Sequence, residues 1–123
     1  MSRFELGVLS GEQLKEVFND AKKNNYALPA VNVTSTSTVN AVMETAAEIN
    51  APAIIQFSNG GSIFYAGKGL SNNNHSAAIA GGISGAMHVH KMAKLYGASI
   101  ILHTDHASRK LLVELAVMSA IFC

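Results

Sequence analysis

His103, Asp105 and His106 crowd into the stretch "SIILHTDHASRK", residues 99–110. Two imidazoles and a carboxylate are the side chains that bind transition metals and move protons, and they also end ordinary strands. The β-branched and leucine run before them favours a strand, in which positions 103 and 106 would point to opposite sides. Two imidazoles so placed do not share one metal. One of them could hold zinc while Asp105 handles protons beside it, or a histidine here could be a satisfied structural residue. A second set is "SNGGS", residues 58–62, whose backbone donors and Ser58 hydroxyl could hold an anionic or carbonyl oxygen. The same residues could equally be a glycine turn. Asn32 and Gln56 complete the candidates.

Two other motifs lose on inspection. "HVH" at 88–90 falls inside a helical pattern, where a spacing of two separates side chains by about 200°. That predicts His90 packed inward and His88 outward, with no metal pair. "FYAGKGL" offers glycines and Lys68, but Gly69 follows the lysine and Ser62 stands where a phosphate loop has its first glycine. No nucleotide is implied.

The elements that must position these residues follow from periodicity. Ser10 and Gln13 have capping-box spacing, and Leu14, Val17, Phe18 and Ala21 repeat helically, which predicts a helix over 11–24. "YALPAVNV" predicts a short buried strand over 28–33, followed by a helix with Val39, Val42, Met43, Ala46 and Ile49 on one face. "AIIQFS" reads as a second strand ending at the loop "NGGS", with a long loop, "IFYAGKGLSNNN", after it. Residues 75–96 read as a helix with Ile79, Ile83, Met87, His90 and Leu95 near one face, its small residues "AAIAGGISGAM" allowing close packing. Gly97 closes it, "SIILHTD" is a third strand, and a last helix is expected near Ser108. Alternation of helices with apolar strands implies an α/β fold with a parallel sheet. Ligands then gather at the carboxyl ends of the strands, where Asn32, Gln56, Ser58, Asn59 and the 103–106 cluster all fall.

Composition narrows the classes further. The 123 residues are 49% hydrophobic and 14% charged, enough for a core and far from a disordered composition. A formal net charge of +1 gives no basic field for nucleic acid. No apolar run approaches the roughly 20 residues of a membrane span, and no signal core opens the chain. Cys123, the single cysteine, allows no internal disulfide, which fits a reducing, cytoplasmic setting.

Taken in order and spacing, "ALPAVNV", "QFSNGG", "AGKG" and "ILHTDH" followed by "KLL" resemble the class II, zinc-dependent fructose-1,6-bisphosphate aldolases. The likeness covers residues from about 10 to 112 and implies the first three βα units of a TIM (β/α)8 barrel, truncated, preceded by an N-terminal helix. It implies that His106 is a ligand of the catalytic Zn2+ and that Asp105 is the acid/base at the cleaved bond, with His103 a supporting neighbour. Ser58 would contact the glyceraldehyde 3-phosphate part of a phosphorylated sugar substrate, and Asn32 and Gln56 would line the same site. The reaction implied is reversible cleavage of fructose 1,6-bisphosphate in glycolysis and gluconeogenesis. In it zinc acts as a Lewis acid on the ketone of dihydroxyacetone phosphate. A tagatose-bisphosphate aldolase differs in sugar stereochemistry that these residues do not report. Intact members are homodimeric, with no nucleic-acid or membrane partner.

Some features depart from the family. Its other zinc-ligating histidines come from later strands, and a closed barrel needs about 250 residues. The chain therefore reads as a single partial domain over 1–123. Within its last eleven residues, "VELAVMSAIFC", only Glu114 and Ser119 are polar, so 113–123 is expected to be a divergent tail. We read that tail as the product of truncation, of a frameshift or of an incomplete gene model, which sequencing of the source DNA tests. By itself the chain would then be a non-catalytic remnant.

Overall fold

The computed structural model describes residues 3–107 and 109. Its elements are β1 (Gly7–Val8), α1 (Gly11–Asn24), β2 (Ala30–Asn32), α2 (Thr36–Glu48), β3 (Ala53–Ser58), α3 (Asn59–Ala66), α4 (Ser76–Tyr96) and β4 (Ser99–Asp105). The expected last helix and the tail over 113–123 lie outside the described residues. All pairings are parallel, in the order β1-β4-β3-β2. Four strands therefore stand where three were expected. Gly7–Val8 is too short to show a period of its own, and it pairs with Ser99 and Ile100 at the base of β4.

Alternation along β3 explains the layering. Ala53, Ile55 and Phe57 are buried against the helical layer, together with Val39, Met43 and Ala46 of α2 and Ala86, Val89 and Ala93 of α4. The opposite face is apolar only near the amino ends of the strands. There Ile101 joins Leu9 and Val17 of α1, with Ile54 packed beside them. Higher on that face the same alternation places Gln56, Ser58, His103 and Asp105.

Several local expectations need correction. Ser10 precedes α1 without a side-chain capping bond, and the Gln13 side chain donates to Glu5 rather than reaching back to Ser10. The capping box appears one helix later, between Ser35 and Thr38 at the start of α2. The strand predicted over 28–33 is confined to Ala30–Asn32 and is exposed, since it lies at the sheet edge and pairs with β3 alone.

The predicted loop after Ser58 is the helix α3. Gly61 lets it seat closely, and α4 receives it through glycines of its own. A Cβ on Gly81 would lie 1.8 Å from the Ser62 carbonyl oxygen, and one on Gly85 would lie 2.2 Å from Cε1 of Phe57. This close docking turns α4 by its small residues. Ala77, Ala78, Gly81, Gly82, Gly85, Ala86, Val89 and Ala93 are buried, while Met87 and Leu95, expected inside, are exposed. The histidines reverse with them. His90 is exposed, and His88 is half-buried with Nε2 2.7 Å from Asn40 Oδ1 of α2. The helix ends as expected, at Gly97 with φ 73°.

Candidate active site

The strand register brings the candidate residues together. Asn32, Gln56 and His103 are partners across β2, β3 and β4, and Ser58 and Asp105 are partners one layer nearer the carboxyl edge. Every site residue read from the sequence therefore falls in one cluster. Gln56 is its hub: Nε2 donates to Asn32 Oδ1 at 2.9 Å and to Asp105 Oδ2 at 3.2 Å, while Oε1 lies 3.1 Å from Nδ1 of His103.

Asp105 is engaged at both carboxylate oxygens. Oδ1 accepts the backbone N–H of His106 at 2.9 Å, and Oδ2 lies 3.1 Å from Nε2 of His106 as well as facing Gln56. This local contact depends on an unusual backbone. His106 has φ 53°, in the left-handed region that few residues other than glycine and asparagine adopt. Strand alternation stops at Asp105, so the expectation that positions 103 and 106 face apart does not hold. His106 folds back onto the carboxylate beside it, with its side chain 77% exposed.

Ser58 ends β3 and caps α3, its Oγ accepting the Gly61 N–H at 3.0 Å. A hydroxyl that accepts in this way keeps its own proton to donate to a ligand. Gly61 is required by the same close approach, because a Cβ there would lie 2.9 Å from the Val33 carbonyl oxygen. Beside them Asn59 Oδ1 is buried without a hydrogen-bond partner among the described residues. Asn59 is one of the polar residues that the sequence places at the carboxyl end of the second strand, with Gln56 and Ser58.

The chemistry of the donor set decides how far it suits zinc. His106 offers an imidazole of the right type, with Asp105 next to it. Yet no group of three or more His, Cys, Asp or Glu side chains that could hold a metal ion occurs among the described residues. Catalytic zinc takes three protein ligands, so these residues alone do not make such a centre.

With this geometry in view, the comparisons with known proteins are specific. The sequence model of the family described as "Fructose-bisphosphate aldolase class-II" matches residues 12–122. The chain is 57% identical over 107 residues to the "Fructose-bisphosphate aldolase class 2" of Escherichia coli (strain K12), covering 86% of this chain and 30% of that protein. It is 49% identical over 106 residues to the fructose-bisphosphate aldolase of Aspergillus oryzae, covering 86% and 29%. The crystal structure of a fructose-bisphosphate aldolase from Campylobacter jejuni superposes with a TM-score of 0.80 at 52% identity, over 90% of this chain and 31% of that one. This chain thus spans about 30% of the length of the relatives it matches. Its parallel sheet with a polar carboxyl edge is part of the barrel fold of that enzyme class. A match running over nearly all of the sequence, joined to a superposition of this quality, makes the chain a member of the class II fructose-bisphosphate aldolases.

Proposed function

We propose that the chain belongs to an enzyme that reversibly cleaves fructose 1,6-bisphosphate into dihydroxyacetone phosphate and glyceraldehyde 3-phosphate. The observation carrying this reading is the cluster at one sheet edge, with Asp105 fixed at both oxygens above the row Asn32–Gln56–His103. A carboxylate so held can take the hydroxyl proton of the aldehyde half as the carbon–carbon bond breaks, and return it in synthesis. The Ser58 hydroxyl would donate to the glyceraldehyde 3-phosphate half, and Asn32 and Gln56 would orient the sugar chain. His106 would be a Zn2+ ligand only together with ligands from outside the described residues. What this chain's own residues supply is the proton transfer at Asp105 and the hold on the sugar.

The proposal extends to the domain and its setting. It takes the chain as a single partial barrel domain with a divergent tail from 113, working in the cytoplasm as part of a homodimer. Among the described residues no helix is long and apolar enough to cross a membrane. A coupled assay for triose phosphate release with added Zn2+ tests the function. It is run on the 123-residue chain and on a longer polypeptide carrying this chain within a whole barrel. Turnover of fructose 1,6-bisphosphate is expected from the longer polypeptide, and its absence there would overturn the reading.

A second reading, that the 123-residue chain by itself is non-catalytic, is favoured by the missing three-ligand group among the described residues. The exposed edge strand β2 favours it too. Chelator-sensitive turnover by the short chain would refute it.

A further inference from the structure

The hydrogen-bond chain through Gln56 contains a constraint on His103. An ionised carboxylate only accepts hydrogen bonds, so the Gln56 group facing Asp105 Oδ2 must be its NH2. The two hydrogens of that NH2 meet two acceptors, Asn32 Oδ1 and Asp105 Oδ2. Its Oε1 is thereby turned towards Nδ1 of His103, 3.1 Å away. An oxygen acceptor there requires the ring to donate. We propose that His103 is a positioning residue: its Nδ1–H locks the Gln56 amide, and the locked amide holds the Asp105 carboxylate in place.

The fold supplies what the lock needs. Gln56 sits on the middle strand of the row, with Asn32 on one neighbour and His103 on the other, in register. If the amide turned over, its NH2 would face His103 and its oxygen would face the carboxylate, acceptor against acceptor. Without a donor at position 103 only the acceptors Asp105 Oδ2 and Asn32 Oδ1 hold the amide in the productive orientation, and it turns over more readily. Asp105 would then keep only its bonds to His106, which is exposed and lies beyond the strand.

The catalytic weight of this lock rests on the reading of Asp105 as the acid/base, but the lock itself can be observed without turnover. The first measurement is 15N spectroscopy of the histidine-labelled 123-residue chain, at a pH that keeps imidazole neutral. His103 should be in the Nδ1–H form in the wild type. In Gln56→Leu it should relax to the Nε2–H form that imidazole favours in water. An Nε2–H ring at His103 in the folded wild-type chain, or in the longer polypeptide labelled in the same way, overturns the proposal.

The second measurement uses substitution. Asparagine presents its amide nitrogen where Nδ1 stands, so His103→Asn should keep the two Gln56 amide protons at distinct, bonded shifts. In His103→Ala those shifts should collapse towards free-glutamine values, and bonded shifts in that variant would show the amide held without His103 and sink the role. In the longer polypeptide, His103→Ala should lower kcat by about ten- to a hundredfold with KM little changed, and His103→Asn should recover most of it. Unchanged kcat in His103→Ala, in an enzyme that Asp105→Ala inactivates, overturns the positioning role. Normal turnover of Asp105→Ala would instead count against the acid/base reading and leave the ring and amide signals untouched.

Discussion

At the residue scale the site depends on groups with a single possible hydrogen-bond sense. Asp105 accepts at both oxygens, and its partners are a backbone N–H, an amide and an imidazole. In the longer polypeptide, Asp105→Asn should lower kcat by about 10²- to 10⁴-fold while leaving the circular dichroism spectrum unchanged. A loss of helical signal in step with the loss of rate would assign Asp105 to the fold instead. Ser58 has a double role, because the oxygen offered to substrate also caps α3. Ser58→Ala should therefore cost about 1 kcal/mol of stability in urea unfolding, separately from any change in KM. The residue types at this edge were legible in the sequence, because imidazole, carboxylate and amide at strand ends can be read from spacing. The turn of His106 back onto Asp105 was not. It follows from a left-handed backbone that histidine does not announce, and period-two alternation carried past the strand end gave the opposite expectation.

Among the elements, α3 and α4 show how close packing overrides hydrophobic periodicity. Ile83, Met87 and Leu95 suggested one inner face, but glycine and alanine occupy it because the Ser62 carbonyl and the Phe57 ring press against the α4 backbone. Gly81→Ala should be destabilising by about 1–3 kcal/mol or more, since the added Cβ meets backbone rather than a flexible side chain. Gly60→Ala, with no atom within 4 Å of the added Cβ, should be neutral or stabilising by up to about 1 kcal/mol. Thermal unfolding of the two variants separates packing from propensity. The helix α3 escaped the sequence reading for a related reason, since two glycines after a serine look like a turn until the capping bond is seen.

Behind α1 a different restraint carries a pH signature. Tyr26 donates to Asp20 at 2.6 Å, and this bond, then partial burial and the nearby negative charge, raises its pKa above 10.0. A raised folded pKa contributes stability that is complete below the unfolded value and is lost as pH rises through the folded one. Alkaline unfolding should therefore be less steep above about pH 10 in Tyr26→Phe. An identical profile in the two proteins would show that the bond to Asp20 does not form in solution.

At the scale of the whole molecule, the sheet is open at both sides among the described residues. The parallel α/β plan was legible because apolar strands alternate with amphipathic helices at regular length, but the strand order was not, since β1 is only two residues long. On the β2 side an apolar groove of about 400 Å³ runs between the strand and α2, lined in part by Val31, Val42 and Ile49. An unpaired edge beside such a surface predicts concentration-dependent association of the 123-residue chain, which Val31→Lys should reduce in sedimentation. Equal association of both forms would place the contact elsewhere. On the other side, β1 pairs only with Ser99 and Ile100, so the flank of β4 from Ile101 to Asp105 has no strand partner among the described residues. Successive amides of a parallel strand point alternately left and right. Deuterium uptake along the upper half of β4 should thus alternate residue by residue between slow and fast. The slow set faces Gln56 and its neighbours, so the fabric beneath the chemistry is the part of that strand least open to solvent.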